Sequence, residues 1–288
     1  MPSLRARLPF TKMHGVGNDL IVVDGRTRPG IEWSGLAIEM CDRRTGVGAD
    51  GLLVIDHSRI ADFAMRMYNP DGSPDFCGNG LRCVARYVSD RCGPAPPGPH
   101  VEMTVATLAG VRAVTVRPGN PAHRVTVQMG EPRFAPEQIP ALAGQDRMVD
   151  YPLELEGETL RVTSLSTGST HTVVFVESLP EDERFVALST AIENHPTFPA
   201  RTSVMWTQVL TPTRLRLRIW ERGVGETWGC GSGACAAMVA ARVAGYVEQS
   251  VVVASRGGEL LVEWSEGEQI WMTGPAEYAY EGVYRLEE

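Results

Sequence analysis

Short apolar runs and alternating apolar and polar positions dominate the chain, whereas spans with helical periodicity are few. A two-residue alternation or a short apolar run bounded by turn residues is typical of a β-strand. The predicted strands are Leu20–Asp24, Leu52–Ile55, Phe63–Tyr68, Val101–Val105, Val111–Val116, Arg124–Gln128, Arg161–Leu165, His171–Val176, Arg214–Trp220, Val251–Ala254 and Glu259–Trp264, the last entered through a Gly257–Gly258 turn. Amphipathic helices are predicted at Trp33–Cys41 and Arg184–Asn194. This pattern favours a mixed α/β fold rich in strands.

Two further segments share a pattern, Cys-Gly-Asn/Ser-Gly, that opens a predicted helix. The first begins at Cys77 and is expected to end at Gly93–Pro94, and the second begins at Cys230 and ends near Gly245. The cysteines lie 153 residues apart in a chain of 288 residues. Because this spacing is about half of the chain, it indicates an internal duplication and two similar domains.

The two predicted helices differ in how completely we expect them to be buried. The helix after Cys230 is apolar on nearly every side, which a curved sheet wrapped around it would satisfy. The helix after Cys77 carries Arg82 and Arg86, so we expect it to be less completely buried. The proline-rich stretch from Cys92 is predicted to be a surface loop, and a domain boundary is expected near Ala122–Arg124.

Composition excludes several classes of protein. A net charge of −8 provides no basic field for nucleic acid or an anionic membrane. No apolar run resembles a signal peptide or is long enough to span a bilayer, so we expect a cytoplasmic protein with reduced thiols. The six cysteines include no C-x-x-C pair, and no metal site is expected. Lys12 is the single lysine, and a pyridoxal-phosphate enzyme would have to use it.

One glycine-rich segment formally matches a nucleotide-binding motif. Gly46-Val-Gly-Ala-Asp-Gly51 has the G-x-G-x-x-G spacing. The dinucleotide-binding motif follows a strand and opens a helix, whereas this segment precedes an apolar strand. We therefore reject nucleotide binding here.

The two Cys-Gly-x-Gly turns suit proton transfer beside a carboxylate. The positive end of a helix dipole is expected to lower the pKa of Cys77 and Cys230. The following residues leave unpaired N–H groups that can bind a carboxylate and stabilise the charge released when an adjacent α-proton departs. A thiolate on one face of the carbon and a thiol on the other would invert it. The alternative is that both cysteines are small core residues at tight turns.

These segments resemble the diaminopimelate epimerase family nearly from end to end. The matching motifs are Lys12-Met-His-Gly-Val-Gly-Asn-Asp19, Gly46-Val-Gly-Ala-Asp50, Asn69-Pro-Asp-Gly-Ser73, Cys77-Gly-Asn-Gly80, Glu221-Arg-Gly-Val-Gly-Glu-Thr227, Cys230-Gly-Ser-Gly-Ala-Cys235 and Met272-Thr-Gly-Pro275. The resemblance implies two pseudo-symmetric domains, 1–123 and 124–274, each a curved, mostly antiparallel sheet around a central helix. The last strand, near Tyr278–Leu286, would return within 275–288 to the first domain.

The resemblance also implies the roles of individual residues. Cys77 and Cys230 would be the acid/base pair, assisted by His171 and Glu221 respectively. The implied substrate-binding residues are Asn18, Asn69, Gly78, Asn79, Gly80, Ser169, Ser203, Arg222, Gly231 and Ser232. Arg222 would pair with the distal carboxylate of the substrate. No cofactor is implied.

Four positions depart from the usual family pattern and concern the substrate. Gly51 stands where the family has glutamine, Ser169 and Ser203 stand where it has asparagine, and Thr170 stands where it has proline. The loop from Ser73 to Cys77 is also one residue shorter than in the family. The leading hypothesis is interconversion of LL- and meso-diaminopimelate, toward lysine and peptidoglycan. The alternatives are racemisation of another polar or basic amino acid, a non-catalytic amino-acid binding protein, and an isomerase related to phenazine biosynthesis. The expected partner is an amino acid, with homodimer formation left open.

Overall fold

The computed structural model describes residues 7–91, 100–117 and 124–286, and within them it has 18 strands and four α-helices. The helices are α1 (Trp33–Cys41), α2 (Gly78–Arg91), α3 (Asp182–Glu193) and α4 (Gly231–Val243). The strands are β1 (Arg7–Gly15), β2 (Asn18–Asp24), β3 (Gly51–Asp56), β4 (Phe63–Tyr68), β5 (Pro74–Asp75), β6 (Val101–Thr107), β7 (Gly110–Arg117), β8 (Arg124–Gly130), β9 (Tyr151–Leu155), β10 (Glu158–Ser166), β11 (Thr170–Phe175), β12 (Ser203–Thr211), β13 (Arg214–Glu221), β14 (Gly225–Thr227), β15 (Ser250–Ser255), β16 (Gly258–Glu263), β17 (Ile270–Pro275) and β18 (Glu277–Arg285). A 3₁₀ turn covers Pro136–Gln138.

The chain divides into two compact units. Unit 1 comprises Met1–Val127 and Gly274–Glu288, and unit 2 comprises Gln128–Thr273. The predicted boundary at Ala122–Arg124 falls largely outside the described residues, as do Cys92 and the predicted helix end at Gly93–Pro94.

Both units are built on the same pattern of strand pairing. In unit 1, β2 pairs antiparallel with β1 and parallel with β3, and β4 pairs antiparallel with β3 and parallel with β6. In unit 2, β11 pairs antiparallel with β10 and parallel with β12, and β13 pairs antiparallel with β12 and parallel with β15. A short strand, β5 or β14, adds to the fourth strand of each series. This correspondence is what an internal duplication produces.

The helix that follows each Cys-Gly-x-Gly turn packs against several strands of its own unit. In α4, Gly231 and all of Gly233–Ala241 are buried, as its apolar composition predicts. In α2, residues Gly78–Ala85 are buried as well, so the expectation of weaker burial is wrong for its first half. Arg82 is fully buried because its Nε donates to the carbonyl of Pro275 at 3.1 Å, and Arg86 donates to the carbonyl of Ala276.

The predicted strands and helices lie where the pattern placed them, with ends that differ by a few residues. Helix α1 and strand β4 agree residue for residue, and β18 returns to unit 1, where it pairs antiparallel with β1. The Gly46–Gly51 segment does precede a strand, β3, as its rejection as a nucleotide site requires. The pattern did not predict β1, β5, β9, β12, β14 or β17.

Candidate active site

Cys77 lies directly before the first residue of α2, and its sulfur has two polar neighbours of opposite kind. The backbone N–H of Gly80 donates to Sγ at 3.2 Å, and Sγ lies 3.5 Å from Oδ1 of Asn18 at the start of β2. An N–H donor favours the thiolate, whereas an oxygen acceptor favours the thiol. The first hydrogen bond of the helix runs from the N–H of Leu81 to the carbonyl of Cys77, so the preceding N–H groups face out of the helix.

Asn18 is held by a cluster of charged side chains on the sheet of unit 1. Its Nδ2 donates to Oδ2 of Asp50 at 3.0 Å, and the N–H of Asp19 donates to the same oxygen at 3.0 Å. Arg43 bridges Asp19 and Asp50, and Lys12, 5% exposed, pairs with Asp19 at 2.5 Å. Burial of the Asp19 carboxyl opposes ionisation, but the hydrogen bonds from Arg43 and Lys12 bring its pKa down to about 2. The single lysine therefore has a structural ion pair.

Cys230 is the N-cap of α4 and repeats this arrangement in unit 2. It is 7% exposed, its Sγ lies 3.5 Å from Oγ of Ser232, and it also receives the N–H of Gly233. The carboxylate of Glu221, the last residue of β13, hydrogen-bonds to the same thiol. Thr227 donates to Oε1 of Glu221 at 2.6 Å and so fixes the carboxylate. Cys230 thus also meets both an N–H donor and an oxygen acceptor.

The protonation of Cys230 differs from the expectation drawn from its helix position. Burial raises the pKa of its thiol well above the ordinary value, and the charge and hydrogen bond of Glu221 raise it further. The donors Ser232 and Gly233 lower the pKa, but by less than burial raises it. The predicted lowering by the helix dipole is therefore wrong for Cys230, because desolvation outweighs it. In this form Cys230 is a neutral thiol.

The second glycine of each turn permits close packing of helix on strand. A Cβ on Gly80 would lie 2.8 Å from Cδ2 of Leu53 on β3, and a Cβ on Gly233 would lie 2.4 Å from Sδ of Met205 on β12. Ordinary contacts begin near 3.4 Å, so neither position has room for a side chain. These glycines therefore bring each helix start, with its cysteine, against the equivalent strand of its own sheet.

His171 on β11 is 1% exposed and neutral. Burial lowers its pKa to about 3, with a smaller contribution from the positive charge of Arg222. Its Nε2 lies 3.1 Å from Oγ of Ser169, whereas its buried Nδ1 has no hydrogen-bond partner within the described residues. The buried Oδ1 of Asn79 on α2 likewise has no partner among them. Buried polar atoms normally have partners, so both atoms are candidates for contact with a bound molecule.

Three other predicted binding residues are engaged within their own units. Oγ of Ser203 accepts the N–H of Arg222 at 3.1 Å, and Nη1 of Arg222 donates to the carbonyl of Ala200 at 2.9 Å. In unit 1, Nδ2 of Asn69 lies 3.1 Å from Oγ of Ser73, in the loop that leads toward Cys77. The exposed guanidinium of Arg222 keeps further donors for an anion.

Comparison with known proteins decides the family. The family model described as diaminopimelate epimerase matches residues 10–135 and 163–279. The diaminopimelate epimerase of Pelotomaculum thermopropionicum is 45% identical over 281 residues, which cover 96% of this chain and 98% of that protein. The diaminopimelate epimerase of Alkalilimnicola ehrlichii is 44% identical over 286 residues, covering 98% and 100%. The chain belongs to the diaminopimelate epimerase family.

Solved structures show that the family fold extends to more distant proteins. A hydroxyproline epimerase from Agrobacterium vitis superposes with a TM-score of 0.73 at 17% identity, covering 99% of this chain and 94% of that one. A PhzF-family phenazine biosynthesis protein from Bacillus anthracis gives a TM-score of 0.68 at 18% identity, covering 97% and 99%. These likenesses confirm the predicted pseudo-symmetric two-domain fold.

The residues that depart from the usual diaminopimelate epimerase pattern have local structural roles. A Cβ on Gly51 would lie 2.2 Å from Cε of Met67 and 2.9 Å from the carbonyl of Tyr68, so Met67 occupies the space beside this glycine. The hydroxyl of Ser169 hydrogen-bonds with His171, and that of Ser203 accepts a backbone N–H. Both serines thus contribute to the geometry around predicted site residues.

The sequence analysis missed two residues that orient the side chains beside Cys77 and Cys230. Asp50 orients Asn18, and Thr227 orients Glu221. Both stand at the ends of motifs quoted for the family resemblance, Gly46–Asp50 and Glu221–Thr227, which is the signal that could have found them. Within residues 7–91, 100–117 and 124–286, no group of three His, Cys, Asp or Glu side chains could hold a metal ion. No helix among these residues has the length and apolar character needed to cross a membrane.

Proposed function

We propose that this chain interconverts LL- and meso-diaminopimelate by moving one α-proton between Cys77 and Cys230. The family to which the chain belongs and the relatives named above support the substrate. The product would serve lysine and peptidoglycan synthesis in the cytoplasm. The assignment of the two cysteines as a pair that acts on opposite faces of one carbon is part of the proposal.

One observation carries the mechanism: each sulfur meets one N–H donor and one oxygen acceptor. Cys77 has Gly80 and Asn18, and Cys230 has Gly233 and Glu221. A reversible two-base reaction requires each sulfur to be a thiolate in one direction and a thiol in the other. A donor stabilises the first form and an acceptor stabilises the second, so these surroundings suit both.

The direction of proton transfer follows from the protonation of Cys230. Because burial and Glu221 raise the pKa of Cys230, this residue would enter the cycle as the thiol that delivers a proton. Cys77, with the Gly80 N–H on its sulfur, would then be the base that removes the α-proton. Delivery of that proton would leave Cys230 as the thiolate and Cys77 as the thiol, which is the state that the opposite direction requires.

The start of each helix would hold the reacting carboxylate. We propose that the N–H groups of Gly78, Asn79, Gly231 and Ser232 bind it and stabilise the charge that develops on its oxygens, while the N–H of Gly80 donates to Sγ of Cys77. His171 would assist Cys77, and Nδ1 of its neutral ring, which has no partner among the described residues, would accept a hydrogen bond from the substrate ammonium group.

The distal end of the substrate would be bound by polar side chains. We propose that the guanidinium of Arg222 pairs with the distal carboxylate and that Asn18, Asn69, Ser169 and Ser203 complete the contacts. The two serines, with shorter side chains than asparagine, can reach the ligand through water.

The proposal is tested by following deuterium incorporation at Cα in D₂O. Wild type is expected to exchange LL- and meso-diaminopimelate, whereas Cys77→Ala and Cys230→Ala lose turnover by at least about a thousandfold because each removes one of two essential proton carriers. Cys41→Ala is the matched control, because this buried free thiol lies in the α1 core and should leave turnover unchanged.

A panel of amino acids separates the proposal from its alternatives. Fast exchange of lysine, ornithine or histidine without exchange of diaminopimelate would show that the proposed substrate is wrong, while the two-cysteine mechanism would stand. Ligand binding without any exchange, unaltered in both cysteine variants, would identify a binding protein instead. Full turnover after alkylation of both thiols would favour chemistry that does not use the cysteine pair.

A further inference from the structure

The carboxylate of Asp50 determines which way the Asn18 amide faces. Oδ2 of Asp50 lies 3.0 Å from Nδ2 of Asn18, and an ionised carboxylate can only accept hydrogen bonds. The amide must therefore turn its NH₂ group toward Asp50, which leaves Oδ1 toward Sγ of Cys77 at 3.5 Å. In that orientation Asn18 can accept a hydrogen bond from the thiol but cannot donate one to a thiolate.

Asp50 is itself fixed by donors. Its Oδ1 accepts from Arg43 at 2.7 Å, and its Oδ2 also accepts the N–H of Asp19 at 3.0 Å. Burial and the neighbouring charge of Asp19 raise the pKa of Asp50, whereas Arg43 opposes them. The carboxyl of Asp19 also hydrogen-bonds with Asp50 and raises its pKa further. Oδ2, the oxygen beside Asn18, accepts the N–H of Asp19 and so is an acceptor toward the amide as well. The amide orientation therefore depends on a rigid, charge-paired support.

We propose that Asp50 is a positioning residue, which holds Oδ1 of Asn18 toward the sulfur of Cys77 and so favours the protonated form of that cysteine. The inference rests on the proposed function only in treating Cys77 as a proton-transfer group. It adds a residue that touches neither the sulfur nor the proposed reacting atoms. Asp50 thereby balances the Gly80 N–H, which favours the thiolate.

Other charged and titratable groups belong to the Asp50 cluster or to the segment around Cys77, and their effects on this cysteine must be separated from that of Asp50. On the sheet side they are Asp19, Lys12 and Arg43, which form ion pairs with one another or with Asp50. On α2 they are Arg82, whose Nε donates to the carbonyl of Pro275, and Cys83; in the preceding strand it is Asp75. Replacing Asp50 changes a charge as well as an orientation, so a single substitution is not sufficient.

The test measures the alkylation rate of Cys77 by iodoacetamide against pH, with peptide mass spectrometry reporting residue 77. It uses the full chain with Cys230→Ser, which removes the second candidate thiol. We expect Asp50→Asn to speed alkylation about three- to tenfold at pH 7.5, since the amide can then turn and the thiol loses a fixed acceptor worth one hydrogen bond. Asp62→Asn, which removes a carboxylate bonded to Thr104 elsewhere in unit 1, is the control and should have no effect.

A double-mutant cycle with Asn18→Ala separates orientation from charge. If Asp50 acts through Asn18, Asn18→Ala alone speeds alkylation by a similar factor, and Asp50→Asn adds little to it. An equal effect of Asp50→Asn with and without Asn18 would mean that only its charge matters and would overturn the inference. So would an unchanged rate in either single variant.

The same set of variants distinguishes this inference from the proposed function. If Asp50→Asn does not fold, the result for Asn18→Ala decides: unchanged alkylation of Cys77 rejects the acceptor role on which the inference depends. Alkylation reports the cysteine whether or not the protein turns over diaminopimelate. Suppose the double-mutant cycle gives the expected alkylation rates but the wild-type protein shows no exchange activity. The proposed reaction would then be rejected, and the positioning role of Asp50 would stand.

Discussion

Gly233→Ala tests whether the second glycine of the Cys230 turn is required by packing. The added Cβ would lie 2.4 Å from Sδ and 2.9 Å from Cε of Met205, which is fully buried on β12. The sulfur would have to retreat by about 1 Å to reach an ordinary contact, and Met205 has no exposed surface toward which it could move. Overpacking of this kind costs about 1–3 kcal/mol, and the helix preference of alanine over glycine returns about 0.5–1 kcal/mol. We expect a net loss of about 1–2 kcal/mol.

Urea unfolding followed by tryptophan fluorescence measures this loss. Five of the six tryptophans, Trp206, Trp220, Trp228, Trp264 and Trp271, belong to unit 2, so the signal reports the unit that carries the substitution. Gly144→Ala is the matched control in the same unit: a Cβ there would meet nothing within 4 Å, and the free energy of unfolding should stay within about 0.5 kcal/mol.

A second substitution at the contacting residue shows whether the clash is the cause. Met205→Ala opens space beside Gly233, so the double variant should be more stable than the sum of the single effects by at least about 1 kcal/mol. In unit 1, Gly80→Ala should cost less, because its Cβ would lie 2.8 Å from Leu53. Strict additivity of Gly233→Ala and Met205→Ala, or a Gly233→Ala protein as stable as wild type, would refute the packing argument.

Two further predictions concern protonation. In Glu221→Gln the charge that raises the pKa of Cys230 is removed, so alkylation of Cys230 at neutral pH should become faster while epimerisation slows; slower alkylation would contradict the assignment of Glu221. His171 is neutral in the folded protein above about pH 3 but protonates near pH 6.5 when unfolded, so the unfolded state binds more protons between these values. The free energy of unfolding should therefore fall by up to about 1.4 kcal/mol per pH unit on acidification through this window, and His171→Asn should flatten that slope in urea titrations.

The strands and the helix starts could be predicted because their sequence signals are local. Alternation marks β4, and the glycine turn before β16 closes a hairpin between Ser255 and Gly258. Strand β12 was missed although Ser203–Thr207 are all buried, because a strand buried on both faces shows no alternation. Strand β1 was missed because its apolar positions are interrupted by Lys12, whose charge is satisfied by Asp19 on the paired strand β2.

The position of both cysteines at helix starts could be predicted from the sequence, whereas the protonation of Cys230 could not. The expected lowering of the Cys230 pKa depends only on its position before a helix, which can be recognised in the sequence. Burial and the carboxylate of Glu221 depend on where β13 ends relative to α4, which the sequence does not contain. Likewise Arg82 was expected to favour exposure, whereas the carbonyl of Pro275, 193 residues away in the chain, is what satisfies it inside unit 1.

The duplication explains why the N–H donors to the two sulfurs come from equivalent positions, whereas the oxygen acceptors do not. Cys77 and Cys230 are 153 residues apart, and so are Gly80 and Gly233, whose N–H groups donate to the two sulfurs. The acceptors do not correspond in this way. Asn18 faces Cys77, but the residue at the matching position in unit 2 is His171, and Cys230 takes its acceptor from Glu221 at the end of β13 instead. A neutral amide therefore faces the half-buried Cys77, whereas a carboxylate that raises the pKa faces the buried Cys230. In the proposed two-base reaction, this difference would make Cys230 the acid at the outset.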